Sequence, residues 1–281
     1  MRQSAFEGKI DYIPVYLSQI PKIFENHEIG LDVALIQVCP PDKHGYCSLG
    51  ISVDITLSGM KNAEVVIAQV NPQMPRTWGD SVVHIDEIDF LVEYEEPLLE
   101  SLPGIKNQQV VERIGHYVNM LVDDGSTLQI GFGHLPDAIL PYLADKKDLG
   151  IHTQVITDGL LPLFRNKVIT NRKKNYLPDR VVATLCMGSK ALYDYVNNNP
   201  MFYFKSSDFV NDPNVIAKND NFISISSALE VDLTGQVCSD SKGYLFYSGI
   251  GDQVDFIRGS SMSKGGFSII IIPSTAQNGA I

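Results

Sequence analysis

Short runs of aliphatic and β-branched residues, separated by stretches with helical periodicity, constrain the fold of this chain more than any other feature. VALIQV at Val33–Val38 and EVVIAQV at Glu64–Val70 are largely apolar, as parallel strands buried on both faces are. Residues Asn107–Val122 instead place their apolar side chains on one helical stripe. This alternation predicts an α/β fold with parallel strands. The same patterns predict further strands at Leu128–Ile130, Val181–Cys186 and Ser268–Ile272, and helices from Pro136 to Leu143 and at Lys190–Asn197.

The chain is long enough for one large domain or two of moderate size. It has 281 residues, of which 44% are hydrophobic, so material for a sizeable core is present. Pro97, Pro103 and Gly104 interrupt the sequence just before the first long predicted helix. We therefore place a domain boundary near Gly104, which divides the chain into residues 1–104 and 105–281.

Membrane insertion and secretion are not indicated. The longest purely aliphatic run, Ile269–Ile272, is far too short to span a bilayer. Arg2, Glu7 and Lys9 interrupt any apolar stretch that would form a signal peptide. A soluble, cytoplasmic protein is the expectation.

Charge and cysteine content exclude further classes. A net charge of -11 argues against nucleic-acid binding, which requires clustered cations. The cation cluster Arg172-Lys173-Lys174 is predicted to be a solvated surface run. The cysteines have neither CxxC spacing nor clustered histidines, so we expect no metal site and no disulfide framework; they are Cys39, Cys47, Cys186 and Cys238.

Five segments carry a resemblance to a known family. They are LQIGFGHLPDAIL at Leu128–Leu140, GIHTQ at Gly150–Gln154, SGIGDQVDFIRG at Ser248–Gly259, PRTWGD at Pro75–Asp80 and EVDLTGQV at Glu230–Val237. In the order and spacing in which they occur along the chain, these segments resemble the acetyl-CoA hydrolase/transferase family. Within that family they resemble the 4-hydroxybutyrate and butyrate:acetate CoA-transferases. The resemblance extends from end to end of the chain.

The resemblance implies two related α/β domains of the CoA-transferase type with the active site between them. Relative to the family both domains look incomplete, and the lost opening portion should expose apolar surface on the first one. The implied reaction moves CoA between a short-chain acyl-CoA and acetate or a similar small carboxylate. Coenzyme A is then a substrate and no cofactor is permanently bound. A homo-oligomer is compatible with this expectation.

The resemblance places the family's nucleophilic glutamate at Gln154. In the family's mechanism a glutamate attacks the acyl-CoA carbonyl and later carries CoA as a glutamyl thioester. A neutral carboxamide is too weak a nucleophile for this step. We therefore predict severely impaired double-displacement transfer, since loss of a covalent nucleophile typically lowers turnover by about 10⁴- to 10⁶-fold.

Two glycine-containing loops are the predicted CoA-binding elements. The first follows a strand and precedes a helix, where backbone N–H groups can face an anion or a thioester oxygen. The second resembles the family's oxyanion loop. Members often have glycine where Asp252 stands, and its carboxylate either points inward, where it would repel an oxyanion, or caps the turn. The predicted contacts are Gly131, Phe132, Gly133, His134 and Leu135 in the first loop, and Gly249, Gly251 and Asp252 in the second.

Other polar residues are weaker candidates. Gln129 lies on the strand before the first loop, and is either close to the reacting centre or bonded to buried backbone. Glu230 is the best carboxylate to replace the missing nucleophile, although a structural ion pair is the simpler interpretation. Asp158 is expected to cap a turn, and Arg76 is attractive as a partner for an acyl carboxylate.

Three functions remain open from the sequence. The first is a CoA-transferase of the family's type, and the second is a catalytically impaired remnant that still binds CoA because Gln154 replaces the nucleophile. The third is an acyl-CoA hydrolase, because loss of the nucleophile leaves the activation of the thioester in place. The acyl group is not readable from the residues, since one methylene discriminates by only about 1 to 3 kcal/mol.

Overall fold

The computed structural model describes residues 2–101, 104 and 108–275, and it combines helices with mostly parallel strands. Short 3₁₀ helices occur at Ile85–Glu87 and Leu140–Leu143. The α-helices are α1 (Arg2–Phe6), α2 (Ile20–Glu25), α3 (Thr56–Asn62), α4 (Gln108–Leu121), α5 (His134–Ala138), α6 (Leu160–Arg165), α7 (Lys190–Val196), α8 (Ser207–Val210), α9 (Pro213–Ile216) and α10 (Gln253–Met262). The strands are β1 (Leu31–Val38), β2 (Tyr46–Ser48), β3 (Ala63–Val70), β4 (Trp78–Gly79), β5 (Val82–His84), β6 (Phe90–Glu93), β7 (Thr127–Ile130), β8 (Gly150–Ile151), β9 (Val155–Ile156), β10 (Val181–Ala183), β11 (Leu185–Cys186), β12 (Phe202–Phe204), β13 (Phe222–Ser227), β14 (Glu230–Val231), β15 (Val237–Cys238), β16 (Ser241–Lys242), β17 (Leu245–Phe246) and β18 (Phe267–Ile271).

The first part of the chain is built on a parallel sheet in the order β1-β3-β6. Leu35 lies opposite Ile67, which in turn lies opposite Phe90. Ile36 and Val38 are buried, whereas Leu35 on the other face of β1 is 78% exposed. The predicted parallel strands are confirmed. The expectation that both faces are buried is wrong for β1, because among the described residues nothing covers the face that carries Leu35.

A second parallel sheet, in the order β18-β13-β7-β8, positions the candidate site. Gln129 of β7 lies opposite Ser224 of β13, and Leu128 lies opposite Ile151 of β8. Helix α10 packs against β13 and β18. Because these strands are parallel, their carboxyl ends meet at one edge, which is where open α/β sheets bind ligands.

A third sheet joins the two sides of the predicted domain boundary. Its order is β10-β12-β4, and Trp78 of β4 pairs in parallel with Tyr203 of β12. The amide of Val53 also donates to the carbonyl of Thr184, at 3.0 Å. Residues before and after Gly104 therefore share backbone hydrogen bonds, and the boundary near Gly104 stays a prediction.

One hydrophobic core likewise crosses this boundary. It extends from Ile36 and Val38 of β1 to Ile271 of β18, and it includes the fully buried Phe202 and Phe204 of β12. A smaller cluster lies under α10. Within the described part of the chain, no helix has the length and apolar character that a membrane span requires.

The helix predicted from Pro136 to Leu143 is divided and begins earlier. Helix α5 starts at His134, with Gly133 before it at φ 148°, a conformation that L side chains rarely adopt. Pro136 then lies in the first helical turn. Backbone amides there have no acceptor within the helix, so proline, which lacks an N–H, costs no hydrogen bond at this position. The glycine, rather than the proline, sets the start of this helix.

Candidate active site

The first glycine loop leaves the carboxyl end of β7 in close contact with β13. The amide of Gly131 donates to the carbonyl of Ile225 at 2.7 Å. A Cβ on Gly131 would lie 3.1 Å from that oxygen and 3.1 Å from Cα of Ser226, so a larger residue would push β13 away by a few tenths of an ångström. Beyond it, a cavity of about 150 Å³ is lined by Ser101, Phe132, Gly133, His134, Asp137, Thr157, Asp158 and Met187.

Asp137 ties this loop to the turn after β9. Its Oδ1 accepts a very short hydrogen bond from the Thr157 hydroxyl and another from the Gly159 amide at 3.2 Å. Burial raises the pKa of the Asp137 carboxyl. No role for Asp137 is predicted from the sequence, because its partners lie about twenty positions further along the chain. The cavity wall therefore depends on a contact that no local pattern predicts.

Asp158 holds the residue that directly precedes a helix far along the chain. Its carboxylate accepts from the amide and the hydroxyl of Ser189, both at 2.7 Å, directly before α7. The sequence predicted capping within its own turn. The observed contact instead stabilises the amino end of α7, and it leaves Asp158 occupied with a structural task.

The segment GIHTQ is held rigidly beside β7. His152 is fully buried, and its Nε2 donates to the carbonyl of Val210 at 2.8 Å. Burial lowers the pKa of His152 to about 3, so the ring is neutral at physiological pH. The Thr153 hydroxyl donates to the carbonyl of Ile130 at 3.1 Å and accepts from the Ile130 amide at 3.2 Å.

Gln154 follows directly on this fixed pair. Its carbonyl accepts from the amides of Thr184 and Leu185, both at 3.0 Å, and from the Thr184 hydroxyl at 3.0 Å. The residue is partly buried. Three donors on one carbonyl fix the backbone at the position where the family's nucleophile is expected, while its side chain is a carboxamide. These hydrogen bonds restrict the backbone from which the Gln154 side chain extends.

Lys174 supports the same segment from behind. Its Nζ donates to the carbonyls of Ile151 at 3.0 Å and Arg180 at 2.7 Å. Burial lowers the pKa of this amine to about 7. A Cβ on Gly150 would lie 2.5 Å from Lys174 Cγ, so glycine leaves room for the lysine stem. The predicted solvated run is thus wrong for Lys174, which is 4% exposed.

Gln129 connects the end of β7 to the second glycine loop. The Ser224 hydroxyl donates to Gln129 Oε1 at 2.7 Å, and Gln129 Nε2 donates to Asp252 Oδ2 at 3.4 Å. Burial, together with the nearby Asp255 carboxylate, raises the pKa of Asp252 to about 6. Of the two interpretations of Gln129, its side-chain contacts favour a position at the candidate site over bonding to buried backbone.

The rest of the second loop is open. Gly249 and Gly251 are exposed, and a Cβ on either would meet no atom within 4 Å. The loop follows the exposed hairpins β14-β15 and β16-β17. Glu230 lies on the first hairpin, exposed, opposite Cys238. The structure therefore brings Asp252 to the end of β7 but leaves Glu230 on an exposed strand.

The Arg76 guanidinium is bonded to backbone carbonyls. It donates to the carbonyls of Pro40 at 2.6 Å and Tyr46 at 3.2 Å, which fixes a turn of the first part of the chain. Within residues 2–101, 104 and 108–275, no group of three or more His, Cys, Asp or Glu side chains is placed to hold a metal ion. The four cysteines are free thiols.

Comparison with known proteins agrees with this geometry. The model of the acetyl-CoA hydrolase/transferase N-terminal domain matches residues 1–102, and that of the C-terminal domain matches residues 188–281. The chain belongs to the acetyl-CoA hydrolase/transferase family. The two matches together include the second glycine loop, and the expectation from the five sequence segments is confirmed.

Individual relatives support the same assignment. The chain is 50% identical over 280 residues to the 4-hydroxybutyrate coenzyme A transferase of Clostridium kluyveri, covering 100% of this chain and 65% of the relative. It is 35% identical to the butyryl-CoA:acetate CoA-transferase of Anaerostipes caccae, covering 96% and 61%. The crystal structure of RipA from Yersinia pestis aligns with a TM-score of 0.93 at 40% identity, covering 100% and 64%. The chain thus spans less than two thirds of these relatives.

Proposed function

We propose that this chain carries the acyl-CoA site of a short-chain CoA-transferase and that Gln154 blocks its covalent step. The observation that carries the proposal is the fixed backbone at Gln154, held by three donors beside the end of β7. The expected substrates are a 4-hydroxybutyryl- or butyryl-type CoA thioester and acetate or a similar small carboxylate. Coenzyme A enters as a substrate, with no permanently bound cofactor.

The reaction depends on the nucleophilicity of the side-chain oxygen at position 154. A carboxylate at position 154 would attack the acyl carbonyl, and the C–S bond would break to give a mixed anhydride and CoA thiolate. The thiolate would then attack the protein side of the anhydride, releasing the acyl group as a carboxylate and leaving a glutamyl-CoA thioester. The carboxamide of Gln154 has a weakly nucleophilic oxygen, and its adduct does not lead to an anhydride.

The two glycine loops supply the rest of the proposed site. Gly133 lies where its backbone N–H can face the thioester, and the cavity beside it is lined by His134. The Gly131 amide is already bonded to the Ile225 carbonyl, so Gly131 contributes the close approach of the two strands and no donor. Nδ1 of His134 accepts from the amide of Gly104 at 3.3 Å, which supports a wall position for the ring. Gly249 and Gly251 are proposed to approach the thioester oxygen from the other side.

The test measures CoA transfer from butyryl-CoA to acetate by the native chain and by Gln154→Glu. Transfer is expected in the variant at a rate at least about 10³-fold above the native chain. Gln154→Asn is the matched control, because it changes the side chain and keeps the amide. Equal rates in the native chain and in Gln154→Glu would refute the assignment of position 154.

Binding without turnover is the second candidate, and the substitution at Gln154 is the observation that favours it. The native chain would then bind a short-chain acyl-CoA thioether, in which the thioester carbonyl is replaced by CH₂, without catalysing transfer. Calorimetric titration measures this. Absence of thioether binding by both the native chain and Gln154→Glu would remove both candidates.

A further inference from the structure

Asp252 is a carboxylate that the proposed transfer reaction does not use. It directly precedes α10, a position where a carboxylate commonly accepts from the first backbone amides, yet its side chain makes no capping hydrogen bond. Its Oδ2 lies 3.4 Å from Gln129 Nε2 instead. The carboxylate therefore contacts the end of β7 without capping the helix.

The end of β7 is also where position 154 is fixed. Gln129 contacts Asp252, and the next residue, Ile130, is bonded through its backbone to the Thr153 hydroxyl at 3.1 and 3.2 Å. Gln154 follows Thr153. Two consecutive residues of β7 thus connect to Asp252 on one side and to the segment carrying Gln154 on the other. Position 154 carries a carboxamide, whereas position 252 carries a carboxylate.

We propose that the Asp252 carboxylate is the general base that activates water to hydrolyse an acyl-CoA thioester bound at this edge. The inference rests on the proposed acyl-CoA site. Asp252 takes a proton from water, and the water oxygen forms a bond to the acyl carbon. The C–S bond breaks, and the proton held by Asp252 passes to the CoA thiolate. The products are the free acid and CoA thiol, and no co-reactant besides water is consumed.

The surroundings of Asp252 suit this role. Burial is the main cause that raises its pKa to about 6, and the Asp255 carboxylate adds to this shift, while the backbone amide of Asp252 itself and the Gln129 amide oppose it. Such a group is ionised at pH 7 and basic enough to accept a proton. Among the described residues, Asp255 on α10 is the charged group that acts on it, and β7 and β13 contribute the uncharged Gln129 and Ser224.

Asp255 does not compete for the same task. Its carboxylate accepts from the amide of Ser18 at 3.1 Å and from the Ser18 hydroxyl at 2.9 Å. Asp252, in contrast, is only partly buried, and Gly251 beside it is exposed. Access of water and thioester to the Asp252 carboxylate from the side of Gly251 is part of the inference, whereas Asp255 holds the segment before α2 in place.

The experiment follows thiol release from butyryl-CoA in the absence of any acceptor acid, between about pH 5 and pH 8. The full chain is compared with Asp252→Asn, Asp252→Glu and the control Asp123→Asn, an exposed carboxylate at the opposite end of β7. Binding of S-butyl-CoA, a thioether that cannot be hydrolysed, is measured in parallel for every variant and reports that each site is folded.

The native chain is expected to hydrolyse the thioester with a rate that rises through an apparent pKa near 6 and then levels off. Asp252→Asn should lose about 10²- to 10⁴-fold and its pH dependence, while still binding the thioether. Asp252→Glu should recover part of the rate, and Asp123→Asn should match the native chain.

Two results would overturn the inference alone. One is a native chain that binds the thioether and releases thiol no faster than buffer; the other is Asp252→Asn at a third or more of the native rate. Failure of the native chain and of Gln154→Glu to bind the thioether would instead refute the proposed acyl-CoA site, and the hydrolysis with it.

Discussion

Replacing Lys174 with methionine should change how the stability of the protein depends on pH. The amine is 4% exposed, and its contacts are two backbone carbonyls, with burial lowering its pKa to about 7 from an ordinary 10.5. Between these two values the unfolded chain holds a proton that the folded chain has released. Stability from this group therefore rises with pH across that window.

The size of the effect follows from the two pKa values. Integrating the proton difference gives a rise in the free energy of unfolding of about 2 kcal/mol from about pH 6.5 to about pH 8.5, an order-of-magnitude figure. Urea denaturation of the native chain and of Lys174→Met over this range measures it. The native chain should gain this increment relative to the variant.

Two further variants make the test sharper. Lys173→Met removes an exposed neighbour and should keep the native pH dependence. Lys174→Arg keeps a charge that does not titrate and should lose the dependence. An unchanged pH dependence in both Lys174→Met and Lys174→Arg would refute the buried, titrating lysine.

Three other predictions concern the site. Gly131→Ala should lower the free energy of unfolding by about 1 to 3 kcal/mol, because the new Cβ would lie 3.1 Å from the Ile225 oxygen. Denaturation measures this change, and an unchanged midpoint would contradict the close approach. Glu230→Gln in the Gln154→Glu background should keep CoA transfer within about twofold of that background, because the side chain is exposed; loss of activity would make Glu230 catalytic. The His152 ring should stay neutral above about pH 4 by NMR, and its contribution to stability should fall as pH drops below the ordinary value of 6.5 toward about 3; titration near 6.5 would contradict its burial.

The sequence predicted the strands and helices well because their signals are local. The apolar run at Val181–Cys186 became β10 and β11, and the stripe at Asn107–Val122 became α4, within about a residue at each end. The outward face of β1 was not predictable, because an apolar run reads the same whether one or both of its faces are covered. Leu35 lies in such a run and is exposed, whereas its neighbour Ile36 is buried.

The site was predictable in part. Gln154 and the glycine loops stay predictions, which rest on contiguous motifs that resemble those of the family. The buried position of Lys174 was missed because a lysine beside two other cations resembles a surface run. Two backbone carbonyls hold its amine, and one of them lies 23 residues away in the sequence. Asp137 was missed for the same reason, since its partner Thr157 lies 20 positions on. Both side chains have structural roles because they are buried, and burial depends on packing between residues that are far apart in the sequence.

The central claim is that the amide at position 154 is what prevents the covalent step. The most direct measurement incubates the native chain and Gln154→Glu with butyryl-CoA, without an acceptor, and determines the intact mass and the modified peptide. A borohydride-sensitive CoA thioester at position 154 should form in the variant and be absent from the native chain. An adduct in the native chain, or one on another carboxylate in the variant, would contradict the account.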